Sequence, residues 1–217
     1  MAESVLVIAP HPDDEAIGCG GAVCLHRQRG DPVDVVFLTS GERGIEGVPA
    51  ETARSIREAE AEAAGKVLRV GRIDFLRLPD LGLLENVEPA ARQLVKVLAG
   101  QPPDLIYLPH PEESHPDHEA ALPIVRAALA HLGRDKKLPE LRGYEVWSPM
   151  TRYGWVEDVS AVFARKLRAV RCYRSQLVGF RYDRAARGLG QYRGVMAAGS
   201  RYAEAFLYLD PRAPEQG

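Results

Sequence analysis

Short runs of apolar, mostly β-branched residues alternate with longer segments of helical periodicity through the first two thirds of this 217-residue chain. The runs predict four strands, at residues 5–9, 33–39, 73–78 and 105–108. The residues of each run are mostly apolar, as expected of a strand that is covered on both faces. Strands that alternate with helices favour βαβ units, so the sequence predicts an α/β fold with a mostly parallel sheet.

The helical segments and the remaining elements complete this picture. The clearest helix covers residues 51–68, where one stripe at three-to-four spacing holds apolar residues and a single acid: Ala53, Ile56, Glu60, Ala63, Ala64, Val67 and Leu68. Further elements are expected as a helix at 87–98, a strand at 144–147, helices from near Val162 and Arg184, and a strand at 205–209 that helps complete one edge of the sheet. No repeat or low-complexity tract marks a boundary. We expect residues 1–217 to form a single domain with a doubly wound, Rossmann-like sheet flanked by helices.

Charge and hydropathy exclude two classes of function. The 28 Lys and Arg residues stand against 30 Asp and Glu residues, a net charge of -2, whereas a nucleic-acid-binding protein needs a cationic surplus. No stretch approaches the roughly 20 apolar residues of a bilayer span, and the N-terminus carries no basic region or cleavage site. Three cysteines without a C-x-x-C pair argue against a disulfide framework and against a Cys-type zinc site. We expect a cytoplasmic protein with no membrane span and no nucleic-acid partner.

Two segments hold histidines and carboxylates, the residue types that are typical of catalytic and metal sites. The first, His11-Pro12-Asp13-Asp14, directly follows the first strand, and the second, residues 110–118, follows the fourth strand. Four of the six histidines lie in these two segments: His11, His110, His115 and His118. Ligands of open α/β sheets bind at the carboxyl ends of the strands. If strands one and four are neighbours, imidazoles and carboxylates converge there, which describes a divalent-metal site.

The residue types leave several assignments within this site open. A catalytic zinc usually has three protein ligands, an open position for water and a nearby carboxylate base. Either Asp13 or Asp14 could bind the metal while the other handles the proton. Likewise His115 and His118 are three residues apart, and only one of them need be a ligand. A His/Asp/His set also suits Fe(II), so the metal is open between Zn²⁺, Fe²⁺ and another divalent ion.

The two segments resemble the LmbE/PIG-L family of metal-dependent N-deacetylases, whose members remove an acyl group from N-acetylglucosamine units. The resemblance rests on Ala9-Pro10-His11-Pro12-Asp13-Asp14-Glu15 and on His115-Pro116-Asp117-His118, in the family's order. Weaker matches extend it over nearly the whole chain, at Thr39-Ser40-Gly41-Glu42, Arg57-Glu58-Ala59-Glu60, Tyr173-Arg174-Ser175-Gln176 and Tyr202-Ala203-Glu204-Ala205-Phe206. In length the chain resembles short bacterial members related to bacillithiol-pathway deacetylases.

The resemblance implies a role for each motif residue. It implies that His11, Asp14 and His118 bind the metal, usually zinc, and that Asp13 is the general base. It implies His115 as a second catalytic group near the oxyanion, charged and oriented by Asp117, and Arg57 as a substrate-binding residue. Because homo-oligomers are common among members of the family, the resemblance also implies a possible homo-oligomer.

The expected function is zinc-dependent removal of an acetyl group from a small amino sugar of the N-acetylglucosamine type. The same motifs fit an amidase that acts on a thiol-sugar conjugate. From other classes, a non-haem Fe(II) oxygenase is compatible with His11-x-Asp13 and a distant His118, although its usual scaffold is a jelly roll. A metal-free Rossmann-type binding module would use Gly18, Gly20 and Gly21, which are not in G-x-G-x-x-G order and more plausibly allow close helix packing.

A basic run also bears on the substrate. Residues 165–201 hold ten Lys and Arg residues against one acid, Asp183. Such a run is most often a solvated face or a subunit contact. The alternative is that some of its arginines reach the cleft and hold an anionic substituent, as in N-acetylglucosaminyl malate.

Overall fold

The computed structural model describes residues 2–133 and 137–212. Its strands are β1 (Val5–Ala9), β2 (Val33–Thr39), β3 (Ile73–Leu78), β4 (Leu105–Pro109), β5 (Glu140–Tyr144), β6 (Trp155–Asp158) and β7 (Ala203–Leu209). Its α-helices are α1 (Asp14–Arg29), α2 (Ala50–Leu68), α3 (Val87–Gly100), α4 (Pro116–His131), α5 (Phe163–Val170), α6 (Arg174–Leu177) and α7 (Tyr182–Arg193).

The strands form one sheet in the order β3-β2-β1-β4-β5-β7-β6. The pairs β2–β3, β1–β2, β1–β4 and β4–β5 are parallel. Strand β7 runs antiparallel to both β5 and β6 and completes one edge. This order confirms the predicted α/β fold with a doubly wound, mostly parallel sheet. Because β1 lies between β2 and β4, the strand order reverses beside β1, which is where open α/β sheets bind ligands.

Alternate residues of the central strands contribute their side chains to two apolar cores, one on each face of the sheet. Val7 and Val35 face one core, which contains side chains of α1, α2 and α5. Ile8 and Val36 face the other core, which contains side chains of α3 and α4. Strands buried on both faces have no polar face to present, which explains their nearly continuous apolar sequence.

Two sequence predictions of local structure are wrong. The strand predicted at residues 144–147 ends at Tyr144, because the N–H groups of Val146 and Trp147 donate to the carboxylate of Glu113 instead of to a neighbouring strand. The stripe predicted on α2 is also displaced. Ile56 is exposed, whereas its neighbour Arg57 is buried and lines a polar cleft.

The glycines of α1 serve close packing, as the sequence indicates. A Cβ atom on Gly18 would lie 2.2 Å from the ring of Tyr144, and one on Gly21 would lie 2.6 Å from Val159. The absence of a side chain at these positions lets α1 pack closely against Tyr144 and Val159. Both glycines lie inside the helix and do not form a phosphate-binding loop. Within the described residues, no helix combines the length and the hydropathy needed to cross a membrane.

Candidate metal centre and active site

Three ligand atoms from two strand-end loops form a compact triangle. Nδ1 of His11 lies 3.3 Å from Oδ2 of Asp14 and 3.3 Å from Nε2 of His118, and the last two atoms are 3.2 Å apart. Ligands about 2.0 Å from a tetrahedral zinc ion are separated by about 3.3 Å. The spacing therefore fits a zinc-sized ion, and one coordination position would remain open.

The strand order brings these atoms together. His11 and Asp14 follow β1, and His118 lies in the first turn of α4, after β4. Strands β1 and β4 are hydrogen-bonded neighbours, so the two loops leave the same edge of the sheet side by side. All three ligand side chains are buried.

The surroundings of the triangle attract positive charge. Burial alone would lower the pKa of each imidazole, yet neighbouring carboxylates raise the pKa of His11 and bring that of His118 to about 9. Burial would raise the pKa of Asp14, but the charge of His118 and hydrogen bonds from both imidazoles hold it far below its usual range. Asp14 is therefore anionic, in a centre that is rich in carboxylates.

Each imidazole of the triangle has a carboxylate on the ring nitrogen that points away from the triangle. Glu113 contacts Nδ1 of His118 at 3.2 Å, and Asp117 contacts Nε2 of His11 at 3.1 Å. Asp117 also accepts hydrogen bonds from the backbone N–H groups of Leu81 and Leu83, so its position is fixed. Such carboxylate–histidine pairs set the tautomer and raise the basicity of a metal ligand.

Asp13 occupies a different environment from Asp14. Its carboxylate does not cap α1, although Asp13 is the N-cap residue, and it lines the cleft beside the triangle. Burial raises the pKa of Asp13 to about 7, against the opposing charge of Arg57, whose Nη2 lies 3.4 Å from Oδ2 of Asp13. Two adjacent carboxylates whose pKa values are pushed apart are suited to different roles.

His115 is held differently from the sequence expectation. Its Nδ1 accepts a hydrogen bond from the backbone N–H of Asp117 at 3.2 Å, while the Asp117 carboxylate contacts His11. The expectation that the Asp117 side chain orients His115 is therefore wrong. Burial and the charges of His11 and His118 lower the pKa of His115, which disfavours the charged imidazole that was expected. With Nδ1 as acceptor, the neutral ring presents Nε2–H as a donor.

Distance alone would also permit His115 as a ligand. One ring nitrogen of His115 lies within 4.8 Å of ring nitrogens of His11 and His118. The Asp14 oxygen is closer to both of those imidazoles, and it brings negative charge. The geometry therefore favours the set expected from the family resemblance. It does not favour the facial triad that would include Asp13.

Arg57 lies in the cleft wall but contacts protein groups. Its guanidinium donates to the carbonyl oxygens of Pro12 at 2.6 Å and Gly41 at 3.1 Å. These bonds tie the Asp13 loop to the loop after β2. The substrate-binding role expected of Arg57 stays a prediction, and the contacts add a positioning role.

The cleft has a volume of about 550 Å³ and mixed chemistry. His11, Asp13 and Asp14 lie along it together with the aromatic rings of Trp147 and Tyr182. Trp147 lies 6.0 Å from the ring of His115 between ring centroids, so an aromatic wall adjoins the metal centre. Aromatic rings offer large, amphipathic contact area to a ligand.

The segment that holds the basic run contributes uncharged residues to the cleft, among them Gln176 and Tyr182. Among the described residues, the cations that line the cleft are Arg43 and Arg57, and none of the ten in residues 165–201 does so. Two members of the run form buried ion pairs, Arg193 with Glu145 and Lys166 with Glu204. The structure therefore gives no support to the hypothesis that arginines of this run hold an anionic substituent, and that hypothesis stays a prediction.

Sequence reasoning missed two carboxylates of the site. Glu113 was part of the second segment, but nothing local distinguishes it from the exposed Glu112. Asp80 follows β3, and its Oδ1 lies 3.3 Å from Nε2 of His11. An acid two residues after the end of a strand of the parallel sheet was a signal that could have identified it.

Comparison with known proteins agrees with the geometry. A family model described as "PIG-L: GlcNAc-PI de-N-acetylase" matches residues 6–129. A diacetylchitobiose deacetylase of Thermococcus kodakarensis is 30% identical over 224 residues, which cover 95% of this chain and 83% of the relative. A probable N-acetyl-alpha-D-glucosaminyl L-malate deacetylase 2 of Bacillus subtilis is 33% identical over 194 residues, which cover 82% of this chain and 86% of the relative. The solved N,N'-diacetylchitobiose deacetylase of Pyrococcus horikoshii superimposes with a TM-score of 0.84 at 26% identity, over 97% of this chain and 85% of that one.

Proposed function

Because this chain belongs to the PIG-L family of de-N-acetylases, we propose that it is a zinc-dependent hydrolase that removes the acetyl group from an N-acetylglucosamine-type substrate. The observation that carries the proposal is the triangle of His11, Asp14 and His118 with the separate carboxylate of Asp13 beside it. A divalent metal held by these three ligands would supply Lewis-acid activation of the amide carbonyl and of the attacking water.

Asp13 performs the proton transfers in this proposal. Its carboxylate takes a proton from the water as the C–O bond to the acetyl carbon forms, and returns the proton to the sugar nitrogen as the C–N bond breaks. The products are acetate and the free amine. A general base is most effective when its pKa is close to the working pH, and burial places the pKa of Asp13 near that range.

His115 stabilises the developing oxyanion as a neutral donor. Its Nδ1 is occupied by the Asp117 N–H, which leaves Nε2–H for the charge that appears on the carbonyl oxygen. A preorganised donor of this kind contributes about a hundred- to a thousandfold in rate. This assignment keeps the role expected for His115 and changes its protonation state.

The position of Arg43 favours a substrate whose sugar carries an anionic substituent. Within the described part of the chain, the Arg43 guanidinium has no hydrogen-bonded or ion-paired partner, and Arg43 is an exposed residue that lines the cleft. An arginine fork suits carboxylate and phosphate groups. We therefore favour a glycoside such as N-acetylglucosaminyl malate over the free sugar.

An acetate-release screen tests the proposal. The zinc-loaded protein is assayed against N-acetylglucosamine, N-acetylglucosaminyl malate, the inositol glycoside, diacetylchitobiose and an N-acylated thiol-sugar conjugate. We expect stoichiometric acetate and amine from at least one N-acetylglucosamine derivative, fastest for the malate glycoside. Release from the thiol conjugate alone would favour the amidase alternative, and no release from any substrate by metal-loaded protein would contradict the proposed function.

A further inference from the structure

The backbone of Asp13 lies where residues with a side chain are rarely found. Its φ and ψ angles are 126° and -28°, outside the regions that an L-residue adopts without strain. Such a conformation persists only where surrounding groups hold it in place, and strained residues of this kind concentrate at functional sites. The groups that hold Asp13 therefore control where its carboxylate points.

One of these groups is a buried glutamate that does not line the cleft. Glu15 accepts the backbone N–H of Asp13 on Oε2 at 3.2 Å. Its other oxygen, Oε1, accepts the hydroxyl of Tyr173 at 2.6 Å. Both Glu15 and Tyr173 are 1% exposed, so no water competes for these bonds.

Tyr173 connects this contact to a remote part of the chain. It stands just before α6, in the segment whose next residues contribute to the cleft wall. Ser175 donates its N–H and its hydroxyl to Glu60 of α2, and Gln176 donates to the carbonyl of Gly44. The hydroxyl of Tyr173 therefore connects a segment that is fixed at two other points to the loop that carries Asp13.

We propose that Glu15 and Tyr173 are positioning residues, which hold the Asp13 backbone so that the Asp13 carboxylate faces the attacking water. The proposal rests on the function proposed above, in which Asp13 transfers the proton. Neither residue contributes to the ligand triangle or to the cleft lining. They act on the reaction through Asp13, with Arg57 holding the preceding carbonyl of Pro12 from the other side.

The first test is a set of variants with steady-state kinetics and metal content. We expect Tyr173→Phe and Glu15→Ala to lower kcat about tenfold or more, with a nearly unchanged KM and one bound metal per chain. Glu15→Gln should retain most of kcat, because its amide oxygen can accept the Asp13 N–H while its NH2 group donates to Tyr173. The matched control is Tyr107→Phe, which removes another buried hydroxyl, hydrogen-bonded to His26 and Arg142, away from the cleft.

The second test asks whether the effect passes through Asp13. In an Asp13→Asn background, Tyr173→Phe should cause no further loss of the residual rate, because residues that act through one group are not additive. An equal loss in both backgrounds would overturn the proposal and leave Tyr173 a general structural residue.

A measurement without substrate separates this proposal from the proposed function. Hydrogen exchange of the Asp13 amide in the zinc-loaded protein should be strongly protected and should accelerate at least tenfold in Glu15→Ala. Unchanged exchange would overturn the positioning role even if the enzyme is active. Accelerated exchange in a protein that deacetylates none of the substrates would support the contact and contradict only the proposed function.

Discussion

Replacing Glu113 with glutamine should weaken metal binding without removing a metal ligand. Glu113 is fully buried and contacts Nδ1 of His118 at 3.2 Å. Its other oxygen accepts the N–H of Val146 at 2.7 Å. When Nε2 of His118 binds a metal, its Nδ1–H is a donor, as is the N–H of Val146. A glutamine amide must direct its NH2 group at one of these two donors, so either orientation places two donors against each other.

The expected magnitude follows from this geometry. Loss of the carboxylate that orients a metal-bound histidine typically costs 10- to 100-fold in metal affinity, or about 1.4–2.8 kcal/mol. Because the Glu113 side chain is 0% exposed, water cannot replace the lost acceptor. The hydrogen bonds and the charge around Glu113 outweigh its burial and lower its pKa to about 2, so the group is a carboxylate at any working pH. The glutamine variant therefore also removes a full negative charge.

The assay is a competition titration of zinc against a chelator of known affinity, performed on the wild type, Glu113→Gln and Glu112→Gln. Glu112 is the exposed neighbour and controls for loss of charge in the same loop. We expect a zinc Kd raised at least tenfold in Glu113→Gln and unchanged in Glu112→Gln. A Kd within twofold of the wild type in a folded Glu113→Gln protein would refute the reasoning.

Three further predictions concern other parts of the molecule. His115→Ala should retain one metal per chain and lose about 100- to 1,000-fold in kcat; loss of the metal by elemental analysis would instead make His115 a ligand. Arg43→Ala should raise KM for an anionic glycoside about tenfold, the effect of one charge-assisted hydrogen bond, and leave KM for the uncharged sugar unchanged; equal effects on both substrates would remove Arg43 from recognition of the anion. Gly18→Ala should destabilise the protein by about 1–3 kcal/mol in thermal unfolding, because its Cβ would lie 2.2 Å from the Tyr144 ring. The control Gly188→Ala, a helical position with open space, should be neutral or stabilising by up to about 1 kcal/mol, and an equally stable Gly18→Ala protein would contradict the packing argument.

The central strands were predictable because their sequence and burial follow one rule. β1, β2 and β4 are buried on both faces, so nearly continuous apolar runs mark them, whereas the edge strand β3 is only partly buried. The polar segments after β1 and β4 mark the site. Once β1 and β4 are neighbours, the two segments must meet. The confirmed fold class depends on these local patterns.

The remaining features depend on contacts between residues far apart in the sequence. Glu113 ends the predicted strand at Tyr144 by binding the backbone from a different loop. Asp117 contacts His11 across 106 positions of sequence, so its proximity to His115 was misleading. Arg57 is buried because it holds the carbonyl of Pro12. No local pattern specifies such partners.

The central claim is that two adjacent aspartates have different roles, Asp14 as metal ligand and Asp13 as base. The most direct test measures zinc content and acetate release together for Asp13→Asn and Asp14→Asn. We predict that Asp13→Asn keeps one zinc per chain and loses at least a hundredfold in kcat, and that Asp14→Asn loses most of its zinc. An Asp13→Asn protein with near wild-type turnover, or an Asp14→Asn protein that keeps full zinc, would contradict the account.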